Sequence, residues 1–495
     1  MRSSSISLSA ALLLGSGCAL FFTEEDAPSS GGAGGDGASS QGGAGGDPSG
    51  GAGAGGAPLG GGGAAGGGGS AGCPGRIGSD EEWLVSFEDA EPWDLATGED
   101  GRHTIIGRAF GGAGLLPASI GERLFVASVD DTGCDVQAYD LGPKPSAAPP
   151  TASSAPPTTF LSLSHGPQPL VAWVDSALEL LTVAPASEPS ASLFTCDLSN
   201  HPPTSLSIAT QGDQLFVVFT SELSGSLECG AESQFISDGS IGVRANLDGT
   251  SIQLNAIEDN AVRVRLASGA PLRMVGHCDG GSVPGGGSCS QDGEWGTFDA
   301  ALDPATLEPV SGQGALVALD PFVTIDDTTT VFAAASGAAF SFANDGDGEH
   351  HFGWRIAGTQ YGVSANNPGT FTFRPGIRSA ASLSSSSLLL TGALASDVGS
   401  IPCPDDCGDA RPFWGVANEV SDLTGRAYPI LEDAAADCAL PAGYAAGGAP
   451  TGGPAASSVV FTGAFRCGKL WLDEGLEALA SGTAQNLFIA RVPRP

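Results

Sequence analysis

The sequence predicts an all-β domain in which small antiparallel sheets repeat around a ring, carried behind a glycine-rich leader. Three observations carry this. Helical periodicity is almost absent from the 495 residues. Short apolar or alternating runs recur instead, separated by Gly, Pro, Ser and Asp clusters, which is the pattern of many short strands. Glycine is also segregated: 23 of the 42 residues from Gly31 to Gly72 are glycine, and the only large apolar side chain there is Leu59.

In chain order, residues 1–17 read as a signal peptide. Arg2 precedes an apolar run from Ile6 to Leu14. The run is too short for a membrane-spanning helix, which needs about 20 apolar residues. Residues 18–72 read as a disordered linker, because the stretch cannot bury enough apolar surface to offset the entropy of ordering it. A Gly-rich coil of that length reaches roughly 35–40 Å. Residues 73–495 read as the folded domain.

Charge excludes two partner classes. The chain has 19 basic and 55 acidic residues, a net −36. Nucleic acid is excluded, since no basic surface exists to neutralise phosphates. Adsorption to anionic lipid is disfavoured for the same reason. The leader to residue 72 has one basic and five acidic residues, so the folded domain carries −32.

Within the folded domain a single run type recurs seven times: 124–130, 170–175, 215–220, 272–276, 331–337, 388–394 and 459–465. Taking Asp130, Asp175, Thr220, Gly276, Ser336, Thr391 and Thr462 as markers, the spacings are 45, 45, 56, 60, 55 and 71 residues. A second, alanine-centred run follows the later ones, at 243–248, 295–303, 354–358, 414–418 and 488–492. Three of these open with tryptophan, at Trp295, Trp354 and Trp414. A third run precedes the first across a tight turn, at 160–164, 206–210, 262–266 and 322–325. Each unit supplies three or four strands, the period used by radial stacks of small sheets. Trp83–Phe87 is the strand expected to close the ring against the last unit. The tryptophans are expected to pack between units. One helical candidate remains, at Leu470–Ala480, of one or two turns.

Two resemblances sharpen this. Leu14-Gly-Ser-Gly-Cys18 resembles a bacterial lipobox, although Gly15 stands where leucine is usual. It implies lipidation of Cys18, and Ala19 in place of Asp implies the outer membrane; the alternative is a secreted or periplasmic protein. The repeats resemble the β-propeller-repeat proteins among exported bacterial lipoproteins, whose units pair a V-V-x-T-G-x-F strand with an F-V-A-K-L-D strand. Val460–Phe465, Phe488–Val492 and Phe298–Pro304 carry that likeness, over about two-thirds of the folded domain. The resemblance implies a seven-bladed β-propeller. Tandem β-sandwiches are the alternative.

Eleven cysteines leave ten to pair once Cys18 is lipidated, and export makes disulfides the expectation. Close spacing favours Cys278 with Cys289 and Cys403 with Cys407. Cys438 with Cys467 is a weaker third. A zinc site at Cys403 and Cys407 lacks the CxxC pairing and a nearby histidine.

Catalytic motifs are missing. Gly68-Gly-Ser-Ala-Gly72 lies in the leader with no strand before it or helix after it, so it is an accident of composition. Asn344-Asp-Gly-Asp-Gly-Glu-His-His351 offers Asp345, Asp347 and Glu349 to a hard cation, half of a calcium loop. A polar hairpin loop is the plainer reading, and no cofactor other than calcium is implied. The expectation is therefore a surface-displayed lipoprotein touching the membrane through its lipid. It would have a binding or structural role and a protein or saccharide ligand. The alternative is an exported propeller hydrolase acting on saccharides or esters, whose mark would be convergent carboxylates at one mouth of the ring.

Overall fold

The structure is a computed structural model. It describes residues 73–494, apart from 74, 111–113, 117–119, 146–159, 258–260, 280–282, 287–288, 290–294, 318–329, 345–348, 367–374, 405–408, 421, 433–441, 451–456 and 481–484. All of these belong to one compact unit, Gly53–Pro495. The expected signal peptide, tether and Cys18 lie outside the described residues.

The described chain is all β. β1 (Arg76–Gly78) and β2 (Trp83–Phe87) come first but belong to the last sheet. Blade 1 is β3 (Ala90–Thr97), β4 (His103–Ala109), β5 (Arg123–Val129) and β6 (Val136–Pro143). Blade 2 is β7 (Leu161–Leu163), β8 (Leu170–Val174), β9 (Leu180–Pro185) and β10 (Phe194–Asp197). Blade 3 opens with β11 (Pro203–Gln211) and β12 (Gln214–Ser221). An inserted hairpin, β13 (Gly225–Cys229) and β14 (Glu232–Ile236), extends blade 2 to six strands. Blade 3 then finishes with β15 (Gly239–Asn246) and β16 (Gln253–Ala256).

Blade 4 is β17 (Ala261–Ala267), β18 (Leu272–Asp279), β19 (Trp295–Leu302) and β20 (Pro309–Val317). Blade 5 is β21 (Thr330–Ala334), β22 (Gly337–Asn344), β23 (Glu349–Ile356) and β24 (Thr359–Asn366). Blade 6 is β25 (Gly376–Ser384), β26 (Ser387–Leu394), β27 (Arg411–Asn418) and β28 (Leu423–Ala427). β29 (Ile430–Leu431) follows; blade 7 then begins with β30 (Ala442–Pro450) and β31 (Ser458–Arg466). β32 (Gly468–Asp473) and β33 (Leu476–Ala480) form a small sheet with β29, and β34 (Asn486–Pro493) returns to blade 7.

The first strands touch in order around a ring: β3 meets β7, β7 meets β11, and so on through β17, β21, β25 and β30, which returns to β3. The fold is a seven-bladed β-propeller. Closure happens inside blade 7, whose order is β1-β2-β34-β31-β30. Trp83–Phe87 is the closing strand that the sequence predicts, paired with Leu487–Arg491. Joining the two chain ends in one sheet hides strand edges that would otherwise invite other chains.

Each blade-to-blade contact has its own apolar cluster, which is how so long a chain avoids one oversized core. Leu206, Val217 and Val243 of blade 3 pack on Val183 and Leu170 of blade 2. Trp354 and Phe352 of blade 5 pack on Leu390 and Phe413 of blade 6. Burial falls off outward: β26 is buried at all eight positions, whereas β28, the outermost strand of the same sheet, alternates. Trp83, Trp354 and Trp414 are fully buried between sheets. The Trp354 indole N–H also donates across the gap to Asn418 O at 2.8 Å.

Three sequence expectations need correction or placement. Residues 470–480 form the β32–β33 hairpin, not a helix. Leu470, Leu472, Leu476, Ala478 and Ala480 are buried in strand alternation, and Gly475 takes the turn at φ +82°. The recurring first run falls on second strands in five blades. In blade 1 it falls on the third strand, β5, and in blade 5 on the first, β21. Where both faces of a strand are buried, an apolar run carries no mark of its position. The expected strand at 322–325 lies outside the described residues.

Three disulfides are formed: Cys73–Cys134, Cys196–Cys229 and Cys278–Cys289. The last brackets the glycine-rich loop whose spacing favoured it; the other two join residues 61 and 33 apart, which spacing did not choose. Cys403 and Cys467 are also disulfide-bonded. Their partners, with Cys18, Cys407 and Cys438, lie outside the described residues. Such bonding belongs to an oxidising, extracytoplasmic compartment.

Candidate functional site: the central cavity

The inner strands enclose a cavity of about 630 Å³ on the ring axis, and all seven contribute to its wall. The wall extends past the ends of β3, β7, β17 and β21, through residues such as Glu99, His165, Ser268 and Ala335. The cavity therefore lies toward the turns that join first strands to second strands.

Irregular pairing sets what the wall presents. Register shifts leave Trp93 unpaired between Pro92 and Asp94 in β3, and Arg378 between Ile377 and Ser379 in β25. In β30 the extra residue is Ala446. In β17, Arg263 and Val264 together oppose a single residue, with Arg263 at φ 51°, immediately before Arg265. A bulge kinks a strand and re-aims its side chains. Trp93, Arg265 and Arg378 all line the cavity.

The facing second strands accommodate these bulges with glycine. A Cβ at Gly107 would overlap Glu91 O, one at Gly392 would overlap Gly376 O, and one at Gly463 would overlap Tyr444 O. Gly392 and Gly463 are the glycines of the recurring Thr-Gly-Ala, so that repeat signature is the imprint of inner-strand carbonyls pressed against the second strand.

The wall carries charge of both signs. His165 Nε2 lies 2.9 Å from Asp94 Oδ2. Desolvation lowers the His165 pKa, but the Asp94 charge and the hydrogen bond together outweigh it and leave the imidazole above its ordinary value. Arg265 stacks over Phe332, 4.5 Å from the ring centroid. Burial pushes its guanidinium down to about 10, with the Asp94 charge opposing, so it stays cationic at neutral pH. Arg378 stacks over Tyr444 at 4.1 Å. Tyr444 donates its hydroxyl to Glu91 at 2.6 Å, and Arg108 Nε donates to the other oxygen of Glu91 at 2.7 Å. Burial and the Glu91 charge raise the Tyr444 phenol well above its usual range. The platform under Arg378 is thereby fixed and neutral.

Hydrogen-bond accounting marks the cavity further. Ser162 accepts the Ile208 N–H at 3.2 Å, and Ser207 accepts that of Leu266 at 2.8 Å. Ser268 accepts the Thr210 N–H at 3.0 Å, and Ser382 that of Ser336 at 2.8 Å. All four serines line the cavity. They clasp neighbouring strands or turns as acceptors, and none has an acceptor for its own hydrogen among the described residues. The Trp93 indole N–H and Arg378 Nε also lack acceptors among them. The wall thus holds surplus donors, unusual where more than nine in ten buried polar groups are satisfied.

The residues singled out in the sequence are not these. Asp345 and Asp347 lie outside the described residues, and Glu349 opens β23 on blade 5. No group of three metal-ligating side chains occurs among the described residues. The signal that was available is arginine inside otherwise apolar strands, Val262-Arg-Val-Arg-Leu266 facing Val275-Gly276 and Gly376-Ile-Arg378 facing Thr391-Gly392.

No protein-family model matches the chain, and no curated protein does. Solved structures with some likeness include the β-propeller domain of the trilobed protease from Pyrococcus furiosus, 8% identical, covering 79% of this chain and 95% of that one at a TM-score of 0.32. A NanB sialidase variant from Streptococcus pneumoniae is 9% identical, covering 81% and 68%, at 0.33. The PQQ-bound aldose sugar dehydrogenase from Streptomyces coelicolor is 13% identical, covering 69% and 96%, at 0.30. The propeller assignment itself rests on the sheet order and the closed ring of first strands.

Proposed function

We propose that this chain is an exported, lipid-anchored binding protein whose propeller holds a small ligand in its central cavity. The observation that carries the reading is the set of unanswered donors around a cavity of about 630 Å³, a volume within the range of small-molecule sites. The leader supports the rest: a signal peptide to residue 17, lipid on Cys18, and the glycine-rich linker to residue 72 to clear the outer membrane surface. Mass spectrometry of the native N-terminal peptide tests the anchor; the expected product begins at a diacylated Cys18, and any other start removes it. For the cavity, the full-length protein is screened by thermal shift against small organic solutes. Ala335→Trp, at the wall, is expected to abolish the stabilisation, while Phe235→Ser on the outer edge strand leaves it intact. Retention of binding in Ala335→Trp places the ligand elsewhere.

A hydrolase is the second reading, favoured by the Asp94–His165 pair, in which Asp94 holds the Nε2 proton and leaves Nδ1 to take up or give a proton. Turnover of chromogenic glycosides or esters that His165→Gln abolishes would establish it. Binding without turnover keeps the first reading.

A further inference from the structure

Resting on the cavity reading, we infer that the ligand is a small organic carboxylate with one negative charge, held by Arg378. Arg378 has no hydrogen bond or ion pair among the described residues; its only close partner there is the face of Tyr444. Scarcity of carboxylates does not explain this, because the chain has 55 acidic residues against 19 basic ones. Glu91, which grips the far end of Tyr444, is engaged by Arg108. An arginine left without a counter-ion in so acidic a protein, on a fixed aromatic platform, is a vacant anion seat.

Charge on the wall disfavours a dianion. Arg265 and Arg378 face the same cavity as Asp94 and Glu99. Asp94 is answered by His165, which adds positive charge only when protonated. With His165 protonated these groups sum to +1, which one carboxylate neutralises, whereas a dianion such as a phosphate monoester leaves the wall net negative. Geometry points the same way: the planar guanidinium fork matches a carboxylate with two parallel hydrogen bonds. The surplus serine hydroxyls supply further donors, and oxygen acceptors are what a carboxylate brings. Phe332, Ala333, Ala335 and Ala381 leave an apolar lining for the ligand's body.

The test uses matched probes on the full-length protein by titration calorimetry: benzoate with benzamide, cyclohexanecarboxylate with cyclohexanecarboxamide, and phenyl phosphate. The inference expects a carboxylate to bind at least tenfold more tightly than its amide and than phenyl phosphate. Arg378→Gln should weaken that carboxylate at least tenfold, and Arg378→Lys should recover part of the loss. An unchanged melting temperature in Arg378→Gln shows that the variant is folded; if it is not, Arg378→Lys against the amide probes carries the comparison. Equal binding of acid and amide, preference for phenyl phosphate, or indifference to Arg378→Gln overturns the carboxylate assignment. If that binding is still blocked by Ala335→Trp, the cavity reading survives. If no probe shows binding sensitive to Ala335→Trp, both fall.

Discussion

Arg76 and Arg378 sit in the two regions that differ most, the seam where the ring closes and the wall of the cavity. At the seam, Arg76 is 4% exposed and both its terminal nitrogens are engaged, with Thr132 O at 2.8 Å and Asp80 at 2.9 Å. Beside it, Trp83 and Arg491 both donate to Asp131 O, and the Asp131 carboxylate pairs with Arg491 at 3.0 Å. Cys73–Cys134 bridges blade 7's leading segment to the β5–β6 turn. Arg76 Nε and Arg378 Nε both lack an acceptor among the described residues, but on the cavity wall the rest of the Arg378 guanidinium makes no hydrogen bond or ion pair with them either. An unanswered buried group costs about 1–3 kcal/mol, and at the seam the bonds that the same side chain makes to Thr132 and Asp80 offset that cost. Arg378 has no such offset within the fold, and that sets the wall apart from the seam.

The largest expected effect breaks the seam's own blade. Gly463→Val forces a side chain into Tyr444 O and the Phe488 ring. It should cost about 3 kcal/mol or more, read as a lowered urea midpoint. Ala338→Gly in blade 5, where β21 and β22 pair without a register shift, should cost only about 1 kcal/mol. Wild-type stability in Gly463→Val would mean that the bulge does not need the glycine.

Next in size is the bridge. Cys73→Ser with Cys134→Ser should cost about 2–4 kcal/mol. The pair closes 61 residues against 11 for Cys278–Cys289, so its loss should exceed that of the shorter bridge by about 1–2 kcal/mol. Equal losses under denaturant would show that the seam holds without its covalent tie.

A smaller effect comes from the wall. His165 has a folded pKa raised above its unfolded value of 6.5. The stabilisation is complete below 6.5 and is lost as pH rises through the folded value. Melting temperature should therefore contain a component that falls as pH rises above 6.5, and His165→Gln should lack it. The smallest effect is Arg378→Met, which keeps the packing stem and removes the unanswered Nε. Stability should change by less than about 1 kcal/mol in either direction. A loss as large as at the seam would show that Arg378 serves the fold after all.

Much of the architecture was legible in the residues. Trp83–Phe87 could be placed at the closure because it is an isolated apolar strand ahead of the repeats. The runs at 459–465 and 488–492 could be paired because they recur with the same Thr-Gly and alanine pattern. Blade 1 was misphased because its clearest apolar run lies on β5, whereas β4, though buried on both faces, is broken by His103, Thr104, Gly107 and Arg108. The hairpin at 470–480 looked helical because its short alternating strands abut across a two-residue turn, which mimics a 3.6-residue stripe.

By itself the sequence determined an all-β chain of recurring units, a strand expected to close them and the covalent chemistry of its compartment; the closed ring and its count of seven needed the sheet order. The first three are local: periodicity, turn residues and cysteines are properties of short segments. The tertiary structure alone decided the cavity and its chemistry. Trp93, Arg265 and Arg378 come from three blades, more than a hundred residues apart, and face one space because bulges turn them there. A bulge is a relation between two strands, and a missing partner is a fact about a whole neighbourhood; neither is written in any one segment.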